Sequence, residues 1–172
     1  IQGEELAIAI QLVRALTGLT VIATASRGAT QDWVRELGAH HVIDHRQPLA
    51  PQIEALGIGA PGFVFSTTAT DRHLTEIEAL IAPQGRFGLI DDPETLDVTG
   101  FKRKAASIHW EFMFTRPIYE TADMDAQGKL LNALAALIDA GRVRTTVTQV
   151  LHPINAANLK QAHALIESGK AR

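Results

Sequence analysis

Cysteine is absent from the 172-residue sequence. This excludes disulfides and any thiolate-ligated zinc within the chain, and it fits a reducing, cytoplasmic location. No apolar run approaches the roughly 20 residues that a bilayer span requires, so no membrane partner is expected. The opening residues, Ile1-Gln2-Gly3-Glu4-Glu5, lack the basic start and cleavage pattern of a secretory leader. They also lack an initiator Met, so the sequence is expected to be a piece of a longer protein or a processed form of one. Basic charge is not in excess: 16 Lys and Arg stand against 19 Asp and Glu, for a net charge of −3. Apart from Lys102-Arg103-Lys104 the cations are scattered, which argues against a general nucleic-acid binder. Neither a G-x-S-x-G elbow nor a P-loop occurs, so hydrolase and kinase readings have no footing. Internal repeats, low-complexity segments and long linkers are also lacking.

What is present is an alternation of helical periods and short apolar runs. Glu4 to Leu16 carries Leu6, Ile10, Val13 and Leu16 near a 3.6-residue spacing, with Gly18 just beyond. Further helices are expected at Thr30 to Leu37 before Gly38, Ile53 to Leu56, Asp71 to Ile81, Asp125 to Ala140 before Gly141, and Asn155 to Glu167, with Asn155 as N-cap. Strands are expected at Thr20 to Ala25, His41 to Ile43, Gly62 to Ser66 (buried), Arg86 to Ile90 and Ala106 to Phe114. Thr145 to Leu151 alternates like an exposed edge strand. Such alternation implies right-handed βαβ units and a mostly parallel sheet covered on both faces. The fold class expected is therefore α/β, a Rossmann-type doubly wound parallel sheet. Because the chain opens almost directly on a helix, that sheet is expected to be truncated at the first strand and glycine-rich turn.

An ordered set of segments carries a family resemblance. AIAIQLVRALTGLTVIATASR (7–27), WVRELGAHHVIDHRQPL (33–49), LIAPQGRFGLIDD (80–92) and the stretch from LLNALAALIDAGRV to SGKA (130–171) follow one another as they do in the medium-chain dehydrogenase/reductase superfamily. FKRKAASIHWEFMFTRP (101–117) narrows this to zinc-type alcohol dehydrogenase-like proteins and quinone reductases. The resemblance implies an NADP(H)-binding Rossmann domain over 1–144, incomplete at its start, and a return segment over 145–172 leading to a catalytic domain outside this chain. It further implies hydride transfer to a carbonyl-conjugated small molecule by the intact protein, with this piece alone inactive. There are departures. Only Gly3 matches the family's glycine-rich turn, Glu4 and Glu5 stand where a pyrophosphate meets backbone N–H groups, and no last strand follows Gly169-Lys170.

The most informative local feature is the end of the second expected strand. An NAD-selective site places Asp or Glu there, whereas this chain has Ala25, then Ser26 and Arg27. Nothing at Ala25 repels a 2′-phosphate, and Arg27 and Ser26 can bond to it; the expected cofactor is NADP(H). His45 is placed near the adenine or 2′-phosphate, Ser66-Thr67-Thr68 near the ribose and nicotinamide, and Leu89, Ile90 and Asp91 along the nicotinamide slot. Asp91-Asp92-Pro93 reads as a turn rather than a catalytic pair, and Lys102-Arg103-Lys104 as a solvated turn. His40, His41, Asp44 and His45 cluster in sequence, but strand alternation turns His40 and His41 apart, so no metal site is expected. His109, Trp110, Phe112 and Phe114 make an aromatic edge, and the resemblance implies homodimerisation through Ser107–Phe114. Two rivals remain open: a non-enzymatic, degenerate Rossmann module for dimerisation or regulation, and a methyltransferase, which usually needs the acidic residue that Ala25 replaces.

Overall fold

The computed structural model describes residues 4–168, with side chains from Leu6 onward. Gly3 and Gly169-Lys170, and the side chains of Glu4 and Glu5, lie outside that description. In chain order come α1 (Glu4–Leu16), β1 (Ile22–Thr24), α2 (Gly28–Glu36), β2 (His41–Ile43), α3 (Leu49–Ala55), β3 (Phe63–Ser66), α4 (Thr70–Leu80) and β4 (Arg86–Leu89). A 3-10 helix (Thr99–Lys104), β5 (Ser107–Trp110), α5 (Thr115–Tyr119), α6 (Ala126–Asp139) and α7 (Ala156–Glu167) complete it. All strand pairings are parallel, as expected of a Rossmann-type α/β sheet. The sheet comes in two pieces, β1-β2 and β3-β4-β5. A single sheet would need one more strand between β1 and β3, and none exists among the described residues.

Helices cover both faces. Ala7 and Ile10 of α1 and Val34 of α2 pack on Ala23 of β1 and on Ala25 just beyond it, with Val42 alongside. On the opposite face Ile43, Leu49, Ile53 and Leu80 bring α3 and α4 onto β2, and Ile22 and Val64 join them across the two sheet pieces. A third cluster centres on Ile81, Phe87 and Leu89, all fully buried. There Phe87 and Phe101 stack at 5.4 Å. Gly38 and Gly141 follow their helices at φ 109° and 67°, left-handed values that a glycine C-cap adopts freely. Asn155 caps α7 by accepting from Asn158 N–H.

Three expectations need correction. β3 is not buried: Phe63 and Phe65 are 58% and 41% exposed, because they flank the open space between the sheet pieces. β5 stops at Trp110 rather than Phe114: the Glu111 N–H bonds to Leu89 O at 3.0 Å, β4 ends there, and no partner remains to extend the ladder. Thr145 to Leu151 forms no strand. The chain before it is held by a side chain instead: Gln11, buried in α1, accepts from Arg144 N–H at 2.8 Å and donates to Arg144 O at 3.3 Å. This leaves Val147 and Val150 in the open.

The basic stretch at 102–104 is more than a solvated turn. Lys104 Nζ donates to Ala79 O and Ile81 O, each at 2.7 Å, satisfying carbonyls at the end of α4.

Candidate functional site

In an open parallel sheet the turns beyond the strands' carboxyl ends form the binding edge. Here each of those turns is polar. After β1 comes Ala25-Ser26-Arg27, after β2 Asp44-His45-Arg46, after β3 Thr67-Thr68, and after β4 Ile90-Asp91.

Contacts join these turns into one row. Arg46 Nη2 donates to Ser26 O at 2.8 Å, bringing a second guanidinium to the turn that carries Arg27. The end of β1 is held by Gln31, which donates to Ala25 O at 3.0 Å. Arg27 is the N-cap residue of α2, which has no side-chain cap and no acidic residue in its first turn. The first N–H groups of that nine-residue helix thus carry a partial positive charge beside the two arginines. Arg46 also forks onto Asp44, with Nη2 to Oδ2 at 2.7 Å and Nε to Oδ1 at 3.1 Å. These bonds hold the Asp44 carboxyl down at about 2, from an ordinary 3.8. The net charge of the turn is therefore set largely by Arg27.

His45 faces His73 of α4, edge to face, with ring centroids 6.4 Å apart. Burial depresses both imidazoles below their ordinary value, favouring the neutral rings. His40 lies elsewhere: its Nδ1 accepts from Val21 N–H at 2.9 Å.

The row continues through α4. Asp91 caps this helix from the end of β4, accepting from Thr70 N–H at 2.9 Å and from the Thr70 hydroxyl at 2.5 Å, and Thr70 meets Ser66 Oγ at 2.7 Å. Ala69, just before, has a left-handed φ of 53°, an uncommon conformation for a residue with a Cβ and one that needs such an anchor. The Thr67 hydroxyl is buried without a hydrogen-bond partner, an unsatisfied group in the middle of the binding edge. Thr68 is exposed and Ile90 half-buried. The Leu89 side chain is enclosed in the core, so only its main chain reaches the edge.

The structure thus gathers Ser26, Arg27, His45, Ser66, Thr67, Ile90 and Asp91 along one edge. Sequence reasoning missed Arg46, Thr70, His73 and Gln31. Arg46 had a signal in the Asp-x-Arg spacing of a side-chain-bonded turn; His73, 28 positions beyond His45, had none. No group of three or more His, Asp or Glu among the described residues is placed to hold a metal ion, and the sequence has no cysteine. The described residues thus bring together no set of side chains that would hold zinc. Among the described residues, no helix is long and apolar enough to cross a membrane.

Residues 37–172 match a family described as zinc-binding dehydrogenase. A zinc-type alcohol dehydrogenase-like protein of Staphylococcus aureus is 36% identical over 151 residues, which are 87% of this chain and 45% of that protein. A crystal structure from Rhizobium etli, assigned as a zinc-dependent alcohol dehydrogenase, is 66% identical with a TM-score of 0.91, over 96% of this chain and 48% of that one. An Escherichia coli alcohol dehydrogenase solved with NADH superposes with a TM-score of 0.68 at 17% identity, over 92% of this chain and 44% of that one, a likeness of fold alone. The chain spans about half the length of the relatives it matches.

Proposed function

Because the chain belongs to the zinc-binding dehydrogenase family, we propose that it is the dinucleotide-binding portion of an oxidoreductase that uses NADP(H). The single observation that carries this reading is at the end of β1. Ala25 stands where a carboxylate would select NAD(H), and Arg46 donates to Ser26 O beside it, on the turn that also carries Arg27. A 2′-phosphate there is met by two guanidinium groups, the Ser26 hydroxyl and the open N-terminus of α2. His45 and His73 offer neutral rings to the adenine, and the unpartnered Thr67 hydroxyl offers a bond to the nicotinamide half.

The bound nicotinamide supplies a hydride to a carbonyl-conjugated small molecule such as a quinone or enone. This chain's residues hold and orient the cofactor; groups that bind the acceptor belong to polypeptide beyond it. On this reading 1–144 bind the nucleotide and 145–172 return the chain towards a catalytic domain. The exposed Val147, Val150 and Ile154 and the exposed Leu159 and Ile166 of α7 support that contact. The aromatic edge at Trp110, Phe112 and Phe114, each at least half exposed, supports a homodimer through this region.

The test is cofactor affinity in the intact protein. NADPH binds more tightly than NADH, and Arg27→Ala removes about 1.5–3 kcal/mol from the NADPH complex, the worth of a charged hydrogen bond, or about 10- to 150-fold. NADH affinity stays within about twofold on the same scale. Equal losses for both cofactors would refute the assignment of Arg27 to the 2′-phosphate.

A further inference from the structure

The two arginines at the binding edge are not equivalent. Arg27 has no carboxylate partner among the described residues. Arg46 is committed to Asp44 by two routes: its guanidinium forks onto both carboxylate oxygens, and its own N–H donates to Oδ1 at 2.9 Å. In that pair the guanidinium is the outward member, with 63% of its side chain exposed against 22% for Asp44. Nε and Nη2 bond to Asp44 and to Ser26 O, and Nη1 meets no acceptor among the described residues. Arg46 therefore offers the N–H groups of Nη1 to the binding edge while a carboxylate in contact with it cancels its charge from behind. Both Asp44 oxygens already face Arg46, so the carboxylate acts on a ligand through that side chain rather than by contact.

The carboxylate is not needed to build its own turn. Gln52 of α3 holds the main chain of Asp44 from both sides, its Oε1 accepting from Asp44 N–H and its Nε2 donating to Asp44 O, each at 2.9 Å. The same Nε2 donates to Pro48 O at 2.9 Å, tying the turn to the start of α3. An asparagine at position 44 would keep an acceptor for Arg46 N–H and lose only the charge.

We propose that Asp44 is a specificity-determining residue that acts through Arg46: by neutralising it, Asp44 holds the site's preference for a 2′-phosphate below what two unpaired arginines would give. This inference rests on the cofactor reading. A phosphate dianion between two uncompensated guanidinium groups leaves slowly, because added attraction falls mainly on the dissociation rate. An oxidoreductase must release its used cofactor at each turnover, and release is often the slow step. A carboxylate at position 25 would exclude the 2′-phosphate outright; one at position 44, behind a guanidinium, only weakens its hold.

The test is a double-mutant cycle in the intact protein, with the Kd of NADPH and of NADH read by fluorescence titration at low and high ionic strength. Asp44→Asn is expected to bind NADPH about three- to tenfold more tightly, with the larger gain at low ionic strength. Its affinity for NADH stays within about twofold. In an Arg46→Gln background the same change at position 44 should have no effect, since the residue it acts through is gone. Weaker NADPH binding by Asp44→Asn, as expected if the carboxylate served only to hold Arg46 in place, would overturn the proposal. So would equal changes for both cofactors, or a gain that survives Arg46→Gln. An unaltered protein without preference for NADPH would refute the cofactor reading and this inference with it. A preference for NADPH that Asp44→Asn does not raise would refute the inference alone.

Discussion

Replacing Asp91 with alanine probes the joint between β4 and α4. The helix begins behind Ala69, a left-handed residue with no capping side chain, and the carboxylate of Asp91 caps it from the neighbouring strand through Thr70 N–H and the Thr70 hydroxyl. Loss of a cap is worth about 1 kcal/mol, and loss of a charge-assisted bond to a buried hydroxyl about 1.5–3 kcal/mol. Thr70 is fully buried but keeps its bond to Ser66, which holds the second value near its lower end. Asp91→Ala is therefore expected to destabilise the chain by about 2–3 kcal/mol, or roughly 4–12 °C in Tm for a domain of this size. Asp91→Asn keeps an acceptor for Thr70 and loses about half as much. Urea titrations followed by circular dichroism would measure both. A loss below about 0.5 kcal/mol for the alanine variant, the level of an ordinary surface change, would refute the capping role, as would equal losses for the two variants.

Other consequences follow from particular contacts. A Cβ at Gly85 would lie 2.6 Å from Ile81 Cγ1 and 2.8 Å from Ala82 O, so Gly85→Ala should destabilise by about 1–3 kcal/mol through overpacking, read from the urea midpoint. Gln11→Ala strands the main-chain groups of Arg144; it should cost about 1–3 kcal/mol and speed proteolysis after Arg142 and Arg144. Burial lowers the folded-state pKa of His45 and His73 below 6.5, so the unfolded chain takes up protons first as pH falls. Stability should drop between pH 7 and pH 5, and a His45→Gln, His73→Gln double variant should flatten that slope in thermal melts at stepped pH.

The periodic elements were legible because each is set by local pattern: α1 and β2 appear at the residues expected, and Gly38, Gly141 and Asn155 act as the caps their chemistry suits. What was not legible depended on neighbours. Phe65 reads as a core residue, but burial needs a strand on the far side, and among the described residues β3 has none there. Thr145 to Leu151 has the alternation of a strand and no edge to join. In the site, Ser26, Arg27 and Thr67 were visible from the position of β1 and β3 in a parallel sheet. Arg46 joins them only because its turn folds back on Ser26, and the bonds of Asp91 to Thr70 depend on a partner 21 positions away.

The central claim, that the turn after β1 receives an adenosine 2′-phosphate, is tested most directly by phosphorus NMR of adenosine 2′,5′-bisphosphate titrated with the 172-residue chain. The 2′-phosphate resonance should shift on binding, with its second pKa lowered from about 6 by the guanidinium groups of Arg27 and Arg46, and 5′-AMP should bind more weakly. A shift confined to the 5′-phosphate, or equal affinity for 5′-AMP, would contradict it.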